Sequence, residues 1–141
     1  AAALVAAATE PSIKGVVADC AFADFYHAFY PRIAKKKYPL PGAVATAIEK
    51  LLDLRLGIPA AQAVPLRHVA KLAGRPILII HGDADTDTTP DNAQILFNAC
   101  PLPKELWLVP GAAHAKSHAQ ASAQYERRVL DFWSHAFQAG E

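Results

Sequence analysis

Three short apolar segments constrain this chain more than anything else in it. They are Ile13–Asp19 (IKGVVAD), Pro76–His81 (PILIIH) and Glu105–Val109 (ELWLV), each about a strand long and bounded by turn residues. The first two lack polar alternation, which is the pattern of parallel strands covered on both faces. Such strands need helices on both sides of the sheet. Thr89-Pro90-Asp91 supplies one helix start, with the Thr hydroxyl expected to cap and proline harmless in the first turn, and Ala93, Leu96, Phe97 and Cys100 then share a face. Near the end, Tyr125, Val129, Trp133, Ala136 and Phe137 fall on one helical side, with Glu126, Arg127 and Arg128 opposite. The opening AAALVAAA favours helix but has no capping residue before it, as though a helix were already under way. The expected fold class is α/β: three layers, α/β/α, with parallel strands and right-handed connections.

Between the first two strands lie more than fifty residues, 22–75, more than one crossover helix needs. A helical cap-like insertion is expected there. Phe22, Phe25, Tyr26 and Phe29 form one stripe, and Val44, Ile48, Leu51 and Leu52 a second. The aromatic stripe reads first as core packing and second as a pocket wall. Prolines 31, 39, 41, 59 and 65 should cut the region into short helical pieces, and Lys35, Lys36 and Lys37 read as a solvated turn.

Composition narrows the function classes. With 141 residues and 52% apolar content the chain is one domain with ample core, and a net charge of +1 points to neither nucleic acid nor a membrane surface. Two cysteines, Cys20 and Cys100, make no disulfide framework and no C-x-x-C pair, so a cytoplasmic location is expected. No run approaches the roughly 20 apolar residues of a membrane span. There is no methionine, so the chain is expected to be a processed product or a piece of a longer protein.

In open parallel sheets ligands sit beyond the carboxyl ends of the strands. Two of the loops at those ends stand out: His81-Gly82-Asp83-Ala84-Asp85-Thr86-Asp87-Thr88-Thr89-Pro90 and Pro110-Gly111-Ala112-Ala113-His114. A buried Asp that accepts the Nδ1 hydrogen of a His fixes its tautomer and stabilises the imidazolium formed when the other nitrogen takes a proton. The segments R-P-I-L-I-I-H-G-x-A-D-T and P-G-A-x-H resemble the C-terminal half of the α/β-hydrolase family, nearest to serine esterases and prolyl-oligopeptidase-like enzymes. The resemblance covers essentially the entire chain. It implies that Asp85 is the acid and His114 the general base of a triad in the chain order Ser, Asp, His. It also implies a hydrolase acting on carboxylic esters, or on amides and peptides, without a cofactor.

The family's nucleophile lies in a G-x-S-x-G elbow, and no such pentapeptide occurs here. Ala1–Ala8 look like the helix that follows it, so the serine and the oxyanion hole are expected upstream and this chain alone is expected to be inactive. Ser12, Ser117, Ser122 and Ser134 read as surface hydroxyls. Cys20, at a strand end, reads as a small buried thiol, with a nucleophilic role as the second possibility; Cys100 reads as core. Calcium is excluded because Asp83, Asp85 and Asp87 are followed by Thr88 and Gln94 where that loop needs Gly and Glu. His114 and His118 lack the Glu of a zinc H-E-x-x-H helix, Ala115 standing in its place. His81 reads as a structural member of its turn, and His27, His68 and His135 as surface or cap residues. The alternative to a hydrolase is a non-catalytic fragment or interaction module of the same fold. Either the missing N-terminal half or self-association through an exposed strand is expected to complete the sheet.

Overall fold

The computed structural model describes residues 1–37, 39–57 and 59–138. Helix α1 (Ala2–Thr9) leads to strand β1 (Val16–Asp19), followed by α2 (Phe25–Lys35), α3 (Pro41–Leu56) and three 3₁₀ turns within 60–72. Strand β2 (Ile77–Gly82), helix α4 (Asp91–Ala99), strand β3 (Lys104–Val109), the short α5 (Ser117–Gln120) and the long α6 (Ser122–Gln138) complete the chain. The strands form one parallel sheet in the order β1-β2-β3, with Val16 opposite Ile77 and Ile77 opposite Lys104.

The apolar run in β2 behaves as its sequence demands, since all six residues are buried and successive side chains enter opposite cores. Ile77 and Ile79 pack with Leu4, Ala7, Val16, Ala18, Leu72, Ala93 and Leu96 on the face of α1 and α4. Leu78 and Ile80 pack with Trp107, Val109 and Phe132 on the face of α6. The molecule therefore has the three layers expected of it.

The first strand starts later than the apolar run suggests. The Ile13 carbonyl is taken by the Arg75 guanidinium at 3.2 Å, which also reaches the carbonyls of Ala7 and Glu10, and the ladder begins at Val16 N–H to Pro76 O. Arg75 thus braces the α1–β1 turn instead of leaving it to extend the sheet. Helix α4 starts at Asp91 with Pro90 as its N-cap and no side-chain cap, so the Thr89 hydroxyl does not cap it. The Thr89 carbonyl takes the Asn92 backbone N–H instead. Ala93, Leu96 and Cys100 of α4 are buried as expected. On α6 the buried residue is Phe132, whereas Phe137 is 65% exposed and only stacks on Trp133. The apolar stripe curves through 125, 129, 132, 133 and 136, leaving 137 at its margin.

The connection from β1 to β2 is helical, as expected of an insertion, but its aromatics are not core. Phe22, Phe25 and Phe29 are half-buried and stacked in series, and Tyr26 is exposed and stacked on Tyr30. Val44, Ile48 and Leu52 of α3 are half-buried and Leu51 is exposed. Pro41 begins α3, and Pro65 begins a 3₁₀ turn, but Pro31 lies inside α2. A proline there forgoes one i to i−4 hydrogen bond without ending the helix. Lys35, Lys36 and Lys37 are exposed as expected. Among the described residues no helix is long and apolar enough to cross a membrane.

Candidate active site

The two loops singled out in the sequence leave adjacent parallel strands at the same carboxyl end of the sheet, so their side chains meet there. Asp85 and His114 are joined by a hydrogen bond of 2.8 Å from His114 Nδ1 to Asp85 Oδ2. The carboxylate is buried at 2% exposure and the imidazole is partly open to solvent. Asp85 Oδ1 accepts the backbone N–H groups of Asp87 and Thr88, each at 2.9 Å. Burial pushes the Asp85 carboxyl upward. The hydrogen bonds from Thr88, His114 and Asp87 outweigh it and hold the group below the usual carboxylate range.

Close approach of the loops depends on Gly82. A Cβ at that position would stand 2.2 Å from the Ala112 carbonyl oxygen, so only glycine fits. Backbone bonds from Asp83 N–H to Val109 O and from Ala84 N–H to Ala112 O, both 3.1 Å, then stitch the loops together. Asp83 is exposed and accepts the Gly111 N–H at 2.6 Å. It is one of the stitches.

His81 is fully buried, and its Nε2 lies 2.7 Å from the Thr88 carbonyl and 3.4 Å from Asp85 Oδ2. It supports the acid loop from below. Asn92, absent from the sequence reading, is also fully buried and accepts the Ala23 N–H at 2.9 Å, tying the acid helix to the end of β1.

A third strand end joins the site. Cys20, just past β1, is half-buried instead of fully buried, and its backbone is left-handed with φ 49°. Its Sγ accepts the N–H of Ala115, the residue after His114, at 3.3 Å; Ala115 is itself left-handed with φ 54°. Burial, with the Asp19 charge adding to it, pushes the Cys20 thiol up, while N–H groups of Ala115 and Gly82 oppose this. Ser117 is not a surface hydroxyl but fully buried, donating to Asp19 Oδ1 at 2.9 Å. Burial, followed by the charge of Asp19, raises the Tyr125 phenol. The His114 loop is therefore pinned to β1 at positions 115 and 117.

The remaining candidates lie elsewhere. Ser12, Ser122 and Ser134 are exposed, and Cys100 is buried in the α4 face with its thiol pushed up by burial to about 11. His118 pairs on the surface with Glu126, His27 with Asp24, and His135 is exposed. His68, expected at the surface, is half-buried with both ring nitrogens enclosed. One set of metal-ligating types comes together among the described residues: Cys20, His81 and Asp85, whose ligand atoms lie within 4.8 Å of one another. An apolar cleft of about 590 Å³ is lined by Val5, Ala6, Phe22 and Phe25.

No protein-family model and no curated protein matches the chain. Solved structures do. The esterase domain of a Rhodothermus marinus protein is similar at 24% identity and TM-score 0.60, covering 93% of this chain and 53% of its own length. A monoacylglycerol lipase from Paleococcus ferrophilus is 21% identical with TM-score 0.61, covering 94% of this chain and 63% of its own length. An α/β hydrolase from a Penicillium species is 18% identical with TM-score 0.64, over 95% and 59% respectively. The chain has the α/β-hydrolase fold, and it spans less than two thirds of the length of each of these solved chains.

Proposed function

We propose that this chain is the C-terminal half of a serine hydrolase, and that Asp85 and His114 are the acid and base of its triad. The observation that carries this reading is the 2.8 Å contact between His114 Nδ1 and a buried, ionised Asp85. Asp85 selects the tautomer with hydrogen on Nδ1, leaving the lone pair on Nε2. A serine hydroxyl supplied from upstream of Ala1 gives its proton to Nε2 as its oxygen attacks an acyl carbon. Asp85 stabilises the imidazolium, which then protonates the leaving alcohol. Water repeats the sequence on the acyl-enzyme and regenerates the serine.

The substrate class is a carboxylic ester, with amides and peptides as the second choice. Two of the similar folds named above are an esterase and a lipase, and the cleft of Val5, Ala6, Phe22 and Phe25 offers an apolar wall two residues beyond Cys20. A fluorophosphonate serine probe tests the reading. The upstream-extended protein should be labelled on a serine within a G-x-S-x-G elbow, and residues 1–141 alone should stay unlabelled. Labelling of the 141-residue chain, or an extended protein that never labels, would overturn it.

A further inference from the structure

We propose that the outer face of α3, with the basic turn before it, docks on the surface of a bilayer carrying anionic lipids. Helix α3 packs on α2, and on its inner side Ala45 is buried. The opposite side faces solvent, where an amphipathic helix carries polar residues. Here it carries Ala43, Ala47, Leu51 and Leu54, all exposed and spaced four, four and three residues apart, so that they fall in one stripe along the helix. Leu54 is 84% exposed and Leu51 58%, and Leu40, at the helix start, is 77% exposed. From Leu40 to Leu54 the strip runs about 20 Å. Single exposed leucines need no explanation, but a contiguous strip marks a surface that meets another apolar phase.

Charge says what that phase is. Residues 32–57 hold six basic residues, Arg32, Lys35, Lys36, Lys37, Lys50 and Arg55, against two acids, Glu49 and Asp53, a net +4. The other residues of this +1 chain therefore sum to −3. The near-neutral total, which pointed away from a membrane, conceals that division. All six basic residues are exposed, and every ion pair among the described residues joins a His to a carboxylate, so none of the six is paired with an acid there. On the helix Lys50 and Arg55 stand on either side of the apolar stripe.

Leucines set between free cations match the two layers of a lipid surface. Acyl chains take the leucines, and anionic headgroups take the Lys and Arg ends, whose aliphatic stems cover apolar surface on the way. A nucleic acid would use the charges and leave the leucines in water. No helix among the described residues is long and apolar enough to cross a membrane, so α3 lies in the plane of the headgroups when bound. This inference does not rest on the hydrolase reading, because its tests read lipid binding directly.

The experiment sediments the 141-residue chain with phosphatidylcholine vesicles made with and without phosphatidylglycerol, at low and high salt. Binding should require the anionic lipid and weaken with salt. Lys36→Gln with Lys37→Gln should lower affinity by about fivefold per charge, and Leu51→Gln with Leu54→Gln should abolish it, while circular dichroism melts stay unchanged at these exposed positions. A second measurement locates the contact. The emission of Leu54→Trp should shift to the blue on anionic vesicles and be quenched by lipids brominated on their acyl chains, whereas Ser134→Trp on α6 should show neither effect. Equal binding to neutral vesicles, binding that the leucine pair does not affect, or an unshifted Leu54→Trp would overturn the proposal. Self-association abolished by Leu51→Gln with Leu54→Gln would give the face to a second copy of the chain, and an upstream-extended protein that fails to bind would give it to the preceding segment; either result overturns the lipid reading.

Discussion

Asp85 is satisfied from three directions, by the Asp87 and Thr88 amides on one oxygen and by His114 on the other. Removing the charge while keeping the shape should therefore separate orientation from packing. In an upstream-extended, active protein, Asp85→Asn is expected to lower kcat by about 10⁴-fold, and His114→Ala by at least as much, with little change in folding for the latter. Esterase kinetics beside circular dichroism check both. Because the folded carboxyl lies below its usual range, its contribution to stability is present above that range and is lost as pH falls through the lowered folded value. Thermal melts of this chain across acidic pH should show that loss, and Asp85→Asn should flatten it. The two loops were legible in the sequence as turn-rich segments right after apolar runs, but the choice of Asp85 over Asp83 and Asp87, and of His114 as its partner, rested on the resemblance to the α/β-hydrolase family. Asn92 and Ser117 were not legible, because their partners, Ala23 and Asp19, lie 69 and 98 residues away and nothing local marks them.

At the level of elements, burial reproduces the sequence patterns from which the strands and helices are expected. Unalternating β2 is buried along its whole length, and the Ala93, Leu96 and Cys100 face of α4 lies in the core. Ends were less legible, because they are set by long-range partners. Arg75 withholds the Ile13 carbonyl from the ladder, and the Thr89 side chain leaves α4 uncapped. The aromatic stripe of α2 misled as core because helical spacing tells which residues share a face, not what covers that face. The junction of β2 with the acid loop is the most tightly specified element. Gly82→Ala must push the Ala112 carbonyl away, and it is expected to cost about 1–3 kcal/mol and to loosen the His114 loop. Denaturant unfolding gives the first quantity, and amide exchange at Asp83 and Ala84 reports the second.

On the scale of the whole molecule, the parallel three-layer arrangement was readable from the sequence and is shared with solved α/β hydrolases over nearly the full chain. Among the described residues β1 pairs only with β2, although Val16 and Ala18 are core residues. A strand of that composition at a sheet edge presents unpaired backbone groups to other chains. Residues 1–141 alone are expected to associate as concentration rises, which analytical ultracentrifugation measures; a monomer unfolding cooperatively at high concentration would contradict this. The proposed chemistry nevertheless converges on one hydrogen bond between two loops. The measurement that tests it most directly is ¹⁵N and ¹H NMR of the His114 ring in this chain. The ring should be the Nδ1–H tautomer with a strongly downfield Nδ1 proton, and Asp85→Asn should abolish that signal. A neutral ring protonated on Nε2, or a spectrum that Asp85→Asn leaves unchanged, would contradict the acid–base pair on which the proposed hydrolysis depends.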